Sequence, residues 1–255
     1  MGNKKKLMMD DGYSTEISEA LQRGRKIDAE LVNAACGMST KNNITELVFI
    51  LDRSGSMAGF EKDTIGGFNS TIEKQKKQDG KVYVSTVLFD NVSEVIHDRV
   101  DISEVKPMTE EDYNVRGCTA LLDAVGGAIH HIGNVHKYAR PEDVPEHTVF
   151  IITTDGMENA SHNYSRSRVR EMIKRQSEKY GWEFIFLAAN IDAEETAEDI
   201  GVRRERAVNY TQDTEGLKAT FDVMCEAITS VRKCKNLDAG KWREKLDKDN
   251  KRRRK

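Results

Sequence analysis

The sequence predicts an α/β fold: a three-layer α/β/α doubly wound sheet of about six strands, mostly parallel, with one antiparallel edge strand. Three observations carry this. Strand-length apolar runs such as Thr45 to Leu51 (TELVFIL) and Thr148 to Thr153 (TVFIIT) alternate with longer segments whose apolar residues recur at intervals of three and four. Near-continuous apolar strands are buried on both faces, which requires helices above and below the sheet. Finally, the segments Lys81 to Phe89 and Val92 to Ile102 are separated only by Asp90-Asn91. That link is too short for a parallel crossover, so the two strands form a hairpin.

The elements follow in order. After the first strand, Asp63 or Thr64 is placed to cap a helix with Ile65, Phe68 and Ile72 on its inner face, ending before Gly80. The hairpin comes next. Thr119 to His136 reads as a helix with Leu122, Val125, Ile129 and Ile132 inward; its Gly126-Gly127 costs about 1 kcal/mol per glycine relative to alanine, a cost that close packing on the sheet would justify. Strand 148–153 follows, then a helix (Ser165 to Lys179), a strand (Trp182 to Ala189), a short helix (Ala193 to Ile200) and a weak strand (Ala207 to Tyr210). The last helix, Thr214 to Cys234, carries Leu217, Phe221, Met224, Ile228 and Val231 on one stripe. Six strands with an early hairpin fit the order 3-2-1-4-5-6, which makes strands 1 and 4 neighbours at the switch point where open sheets bind ligands. Both of these strands end in an aspartate, Asp52 and Asp155.

At 255 residues the chain suits one large domain, 45–234, with a polar N-terminal extension (1–44) and a basic C-terminal tail (235–255). The extension has two candidate short helices, 14–22 and 27–35. No apolar run approaches the roughly 18 residues of a membrane span, and no signal-peptide core follows Lys4-Lys5-Lys6. Cys36, Cys118, Cys225 and Cys234 lack zinc-ligand spacing and read as reduced thiols, so the expected location is cytoplasmic. Cys118 is expected to fill a small space in its loop. The net charge of -3 conceals an asymmetry: of 40 Lys/Arg, nine lie in 241–255 beside three of the 43 Asp/Glu, leaving 31 bases and 40 acids in 1–240. An acidic body repels phosphate, so nucleic-acid contact is expected only through the tail 241–255, and Lys251 to Lys255 by default form a solvated, disordered end.

The segment Asp52-Arg53-Ser54-Gly55-Ser56 directly follows the first strand. Alternate side chains of such a loop turn to one side, so one carboxylate and two hydroxyls converge, with Gly55 permitting the tight path. An oxygen-only set suits a hard cation, Mg²⁺ or Mn²⁺, rather than zinc. The chain here resembles the von Willebrand factor A (vWA, integrin I-like, Rossmann-like) domains with a metal-ion-dependent adhesion site (MIDAS), of the intracellular bacterial or phage type. Asp52, Ser54 and Ser56 match that family's Asp-x-Ser-x-Ser; Gly117-Cys118-Thr119 matches the threonine that opens the helix before strand 4; Thr154-Asp155-Gly156 matches the aspartate ending strand 4. The resemblance spans about residues 45–234.

The resemblance implies a non-enzymatic, metal-dependent protein-binding module. Ser54, Ser56 and Thr119 would ligate the cation, Asp52 and Asp155 would act largely through water, and an Asp or Glu of a partner protein would complete the shell. Local structure offers simpler uses for the same residues: Ser54 and Ser56 as a turn and helix cap, Thr119 as an N-cap, Asp155-Gly156 as a strand-ending turn. A rival is a Mg²⁺-dependent phosphoryl-transfer enzyme with Asp52 as nucleophile, although Ser54 stands where such phosphatases carry a second aspartate, and neither G-x-x-x-x-G-K-[ST] nor G-x-G-x-x-G occurs.

Overall fold

The computed structural model describes residues 43–233, Leu237 and 241–253. The candidate helices at 14–22 and 27–35 lie outside the described residues. Six strands, β1 (Ile44–Asp52), β2 (Lys81–Phe89), β3 (Ser93–Asp101), β4 (His147–Thr154), β5 (Glu183–Ala188) and β6 (Ala207–Asn209), form one sheet in the order β3-β2-β1-β4-β5-β6. Only β2–β3 is antiparallel. The connecting helices are α1 (Glu61–Lys76), α2 (Leu121–Tyr138), α3 (Arg166–Tyr180), α4 (Ala193–Asp199), α5 (Thr214–Arg232) and α6 (Glu244–Arg253).

All nine residues of β1 are buried, as a central parallel strand requires. Its side chains divide by parity. Leu47, Phe49 and Leu51 join Phe68 and Ile72 of α1 and Leu217, Phe221 and Ile228 of α5 in one core. Val48 and Ile50 join Val125 and Ile129 of α2 and Val169 and Ile173 of α3 in the other. Each such side chain contributes about 1.5–3 kcal/mol through burial, and together they fix the ends of β1 and β4 against one another.

Four local expectations are corrected. First, α1 begins at Glu61; Asp63 and Thr64 lie inside it, and Phe60 occupies the N-cap without a side-chain bond. The start is set instead by the preceding loop, where Gly59 (φ +90°) turns the chain and donates its N–H to Glu61 Oε2 at 2.8 Å. Second, Gly126 does not face the sheet. A Cβ there would stand 2.4 Å from the Tyr164 ring, so the glycine makes room for the loop after β4, while Gly127 faces open space. Third, Cys118 is exposed rather than filling a gap.

The fourth correction concerns the end of the tail, where 251–253 are helical rather than disordered. Residues 241–253 form a 3₁₀ turn and α6, with Trp242 and Leu246 buried and Trp242 Nε1 donating to Glu205 O at 3.1 Å. Arg243 pairs with Asp247 at 2.9 Å and with Glu194 at 2.5 Å. Two apolar residues four apart in a charged run suffice to lay one stripe on the domain. The described part of the tail is therefore docked.

Buried Arg232 closes the far end of α1. Its guanidinium donates to Gln75 O and Gln75 Oε1, both at 2.8 Å, and to Asp79 O at 2.9 Å. Gln75 O is one of the last carbonyls of the helix, which would otherwise lack a donor, and Asp79 O belongs to the turn that follows.

Candidate metal centre

β1 and β4 run side by side, with Leu51 opposite Thr153, so Asp52 and Asp155 emerge at the same edge. Asp52 is almost wholly buried. Its Oδ1 accepts the Ser54 N–H at 2.7 Å and its Oδ2 accepts the Thr154 hydroxyl at 2.6 Å. Burial pushes its carboxyl above the ordinary range, these hydrogen bonds pull the other way, and the nearby Asp155 charge adds to the rise. Two carboxylates converging in a buried place favour a cation between them.

The loop's alternation gives its residues opposite tasks. Ser54 Oγ lies 3.0 Å from Ser56 Oγ, and Ser56 Oγ donates to Asp155 Oδ1 at 2.6 Å. Arg53 turns the other way and is 1% exposed. Its Nε donates to Asp90 Oδ2 at 2.9 Å and its Nη1 to Glu94 Oε2 at 2.7 Å. Asp90 also accepts Arg116 Nε at 2.9 Å and the Val92 N–H at 3.0 Å. Burial works to raise the Asp90 pKa, but the hydrogen bonds and guanidinium charges prevail, and it lies below the usual range. Asp90, to which the sequence pattern assigns no role, thus anchors the loop to the β2–β3 turn.

The loop before α2 runs along the loop after β1. Arg116 N donates to Arg53 O, Gly55 N donates to Gly117 O at 3.1 Å, and the Tyr113 hydroxyl donates to Asp52 O. Glycine is needed at Gly117 and relieves a close approach at Gly55. A Cβ on Gly55 would come within 3.3 Å of Gly117 O, and Gly117 has φ +70° with Asn91 Oδ1 only 2.0 Å from where its Cβ would sit. Asn91 Oδ1 then accepts the Cys118 N–H at 2.7 Å.

Thr119 is not the N-cap of α2; that position is Ala120, with no side-chain cap. The free N–H groups of α2 are met from the loop after β4, Leu122 N by Glu158 Oε2 at 2.9 Å and Asp123 N by Ser161 Oγ at 3.0 Å. Asp123 answers by accepting the N–H groups of His162, Asn163 and Tyr164 at 2.8–2.9 Å. Burial opposes these bonds, yet its pKa is lowered. The Thr119 N–H donates to Asn159 Oδ1 at 2.9 Å and its carbonyl accepts the Asn159 N–H at 3.1 Å, while its hydroxyl takes no part in helix capping. Thr119 Oγ1 and Ser56 Oγ each lie 3.4 Å from where a Cβ on Gly156 would stand, so the glycine keeps the pocket open between them.

Asp52, Ser54, Ser56, Thr119 and Asp155 are therefore all brought to one place, from three loops. Ser54 heads the 3₁₀ turn Gly55–Met57 without capping it through its side chain. Among the described residues no group of three or more His, Cys, Asp or Glu is placed to hold a metal. A cation here would depend on hydroxyl oxygens beside two carboxylates, a hard-donor set that fits a divalent ion. Two residues not singled out by sequence join the rim. Gln212, following β6, donates through Nε2 to Asp155 Oδ2 and to Ser56 O at 3.0 Å. Asn190, following β5, donates to Gln212 Oε1. Their one sequence signal is position, since β5 and β6 end at the same sheet edge as β1 and β4.

No family model matches the sequence, and no curated protein does. Solved structures do. The vWF domain of the type V pili tip protein Mfa5 from Porphyromonas gingivalis aligns with 72% of this chain and 95% of its own, at 11% identity and TM-score 0.51. Proximal thread matrix protein 1 from the mussel byssus, with a zinc-occupied MIDAS motif, aligns with 84% of this chain at 15% identity and TM-score 0.50. The chain spans about half (52%) of that mussel protein's length.

Proposed function

We propose, from the premise that this chain has the von Willebrand factor A fold, that it is a non-enzymatic, metal-dependent protein-binding module. A divalent cation, Mg²⁺ or Mn²⁺, is held by Ser54, Ser56 and Thr119, with Asp52 and Asp155 acting largely through water, and it captures an Asp or Glu of a partner protein. The observation that carries the reading is the convergence of three hydroxyls and two carboxylates from three loops, linked through Ser54, Ser56 and Asp155. Two carboxylates neutralise a dication only formally, so an incoming carboxylate gains from direct coordination.

The phosphoryl-transfer rival is less well served. Asp52 is 1% exposed and each of its oxygens already accepts a hydrogen bond, so it is poorly accessible to an incoming phosphorus. No helix among the described residues is long and apolar enough to cross a membrane. A location in the cytoplasm remains part of the proposal.

The test has two stages. Mn²⁺ uptake, followed by the electron paramagnetic resonance of the free ion, should show one site in the wild type and strong loss in Ser56→Ala and Thr119→Ala. Partner capture should then require Mg²⁺ and fail with chelator. Partners retained both in chelator and by Asp155→Ala would overturn the reading.

A further inference from the structure

Gln212 makes a bridge that the three motif loops do not account for. Its single Nε2 serves two acceptors, the outer oxygen of Asp155 and the carbonyl of Ser56 at 3.0 Å. These belong to the two loops that the cation must also span. The other Asp155 oxygen is the one facing Ser56 Oγ at 2.6 Å. Gln212 therefore stands behind the carboxylate and leaves its inner oxygen turned toward the hydroxyls.

An amide has two ends, and only its N–H end suits this place. Asn190 selects that end, because its own Nδ2 donates to Gln212 Oε1 and to Asp155 O at 3.4 Å. With Oε1 engaged as acceptor, Nε2 can only face Asp155 and Ser56. Asn190 is held at φ +57°, a left-handed conformation that asparagine tolerates better than most residues. Groups that hold a metal through water are commonly kept in place by such outer hydrogen bonds, and loss of outer partners weakens metal affinity by about 10- to 100-fold.

We propose that Gln212, oriented by Asn190, is a positioning residue of the metal centre: it locks Asp155 against the Ser56 loop and thereby sets cation affinity. The proposal rests on the metal reading above. It adds the loops after β5 and β6 to the site as a relay, Asn190 to Gln212 to Asp155.

The probe is Mn²⁺ alone, titrated into the full chain and read by the resonance of the free ion, with melting in chelator as the folding control. Gln212→Met keeps length and removes the amide; it should weaken Mn²⁺ by about tenfold or more while the melting temperature in chelator barely moves. Asn190→Ala should weaken it less. The double variant should be no worse than Gln212→Met, because Asn190 acts only through Gln212. A purely structural role would instead lower the melting temperature and leave affinity alone. Unchanged or tighter binding by Gln212→Met, or full additivity with Asn190→Ala, overturns the proposal and leaves the metal reading standing. A wild type that takes up no Mn²⁺ at millimolar concentration overturns both.

Discussion

Arg53 occupies the first variable position of the Asp-x-Ser-x-Ser loop, and its removal should cost more than that position suggests. Consider Arg53→Met, which keeps much of the volume and loses the charge. The Arg53 and Asp90 side chains are 2% and 3% exposed and 2.9 Å apart, whereas the Glu94 side chain is 54% exposed. Glu94 regains water when the arginine leaves, so its share is small. Asp90 does not; it keeps Arg116 and the Val92 N–H but holds an under-compensated charge in a buried place. Breaking a buried pair from one side costs about 3–5 kcal/mol, and the surviving partners put this case near 3. Urea unfolding followed by circular dichroism measures the loss. Because the pair is shielded from solvent, the loss should persist in high salt. Replacing both members with apolar residues, Arg53→Met with Asp90→Leu, should recover part of it and give a coupling of about 1–2 kcal/mol. A single variant within about 0.5 kcal/mol of wild type, or a double variant as bad as the sum of the singles, would refute the reasoning.

Two further outcomes test the frame around the site. Asp123→Asn should cost about 2 kcal/mol at neutral pH, because three backbone N–H groups lose a charged acceptor. The sign with pH follows from the lowered carboxyl: the contribution is complete above the ordinary value of 3.8 and disappears as pH falls through the lower folded value, so an acid titration of stability should be shallower in the asparagine variant. Trp242→Ala should cost about 3 kcal/mol in thermal or urea unfolding, since the ring is 7% exposed and hydrogen-bonded to Glu205 O; a solvated tail would give a change near zero.

The sheet order was readable because parallel strands buried on both faces must be almost entirely apolar, and runs such as TELVFIL have few other uses. The early hairpin was readable because two residues cannot cross a sheet. Where reading failed, the deciding contacts lay outside the segment being read. The start of α1 depends on Gly59 and the loop before it rather than on the Asp63 side chain. Gly126 of α2 answers to Tyr164, some forty residues on. Thr119 looks like an N-cap until Glu158 and Ser161 are seen to serve the helix in its place. The docking of α6 was masked by composition, since nine basic residues obscure what Trp242 and Leu246 do four positions apart.

The same contrast explains how so small a motif is held in shape. A loop of alternating side chains has two sides, and this one uses both: Asp52, Ser54 and Ser56 face the pocket while Arg53 is tied to Asp90 behind it. Asp155 is likewise held from two sides, by Ser56 in front and by Gln212 behind. Hydroxyls are weak ligands, and a cation bound mainly through them depends on their being in place before it arrives. The residues that secure this carry no motif of their own, because an arginine, an asparagine or a glutamine can brace a loop from many sequence positions. The oxygen donors are therefore the legible part of the site, and their supports are visible only once the strand ends have been brought together.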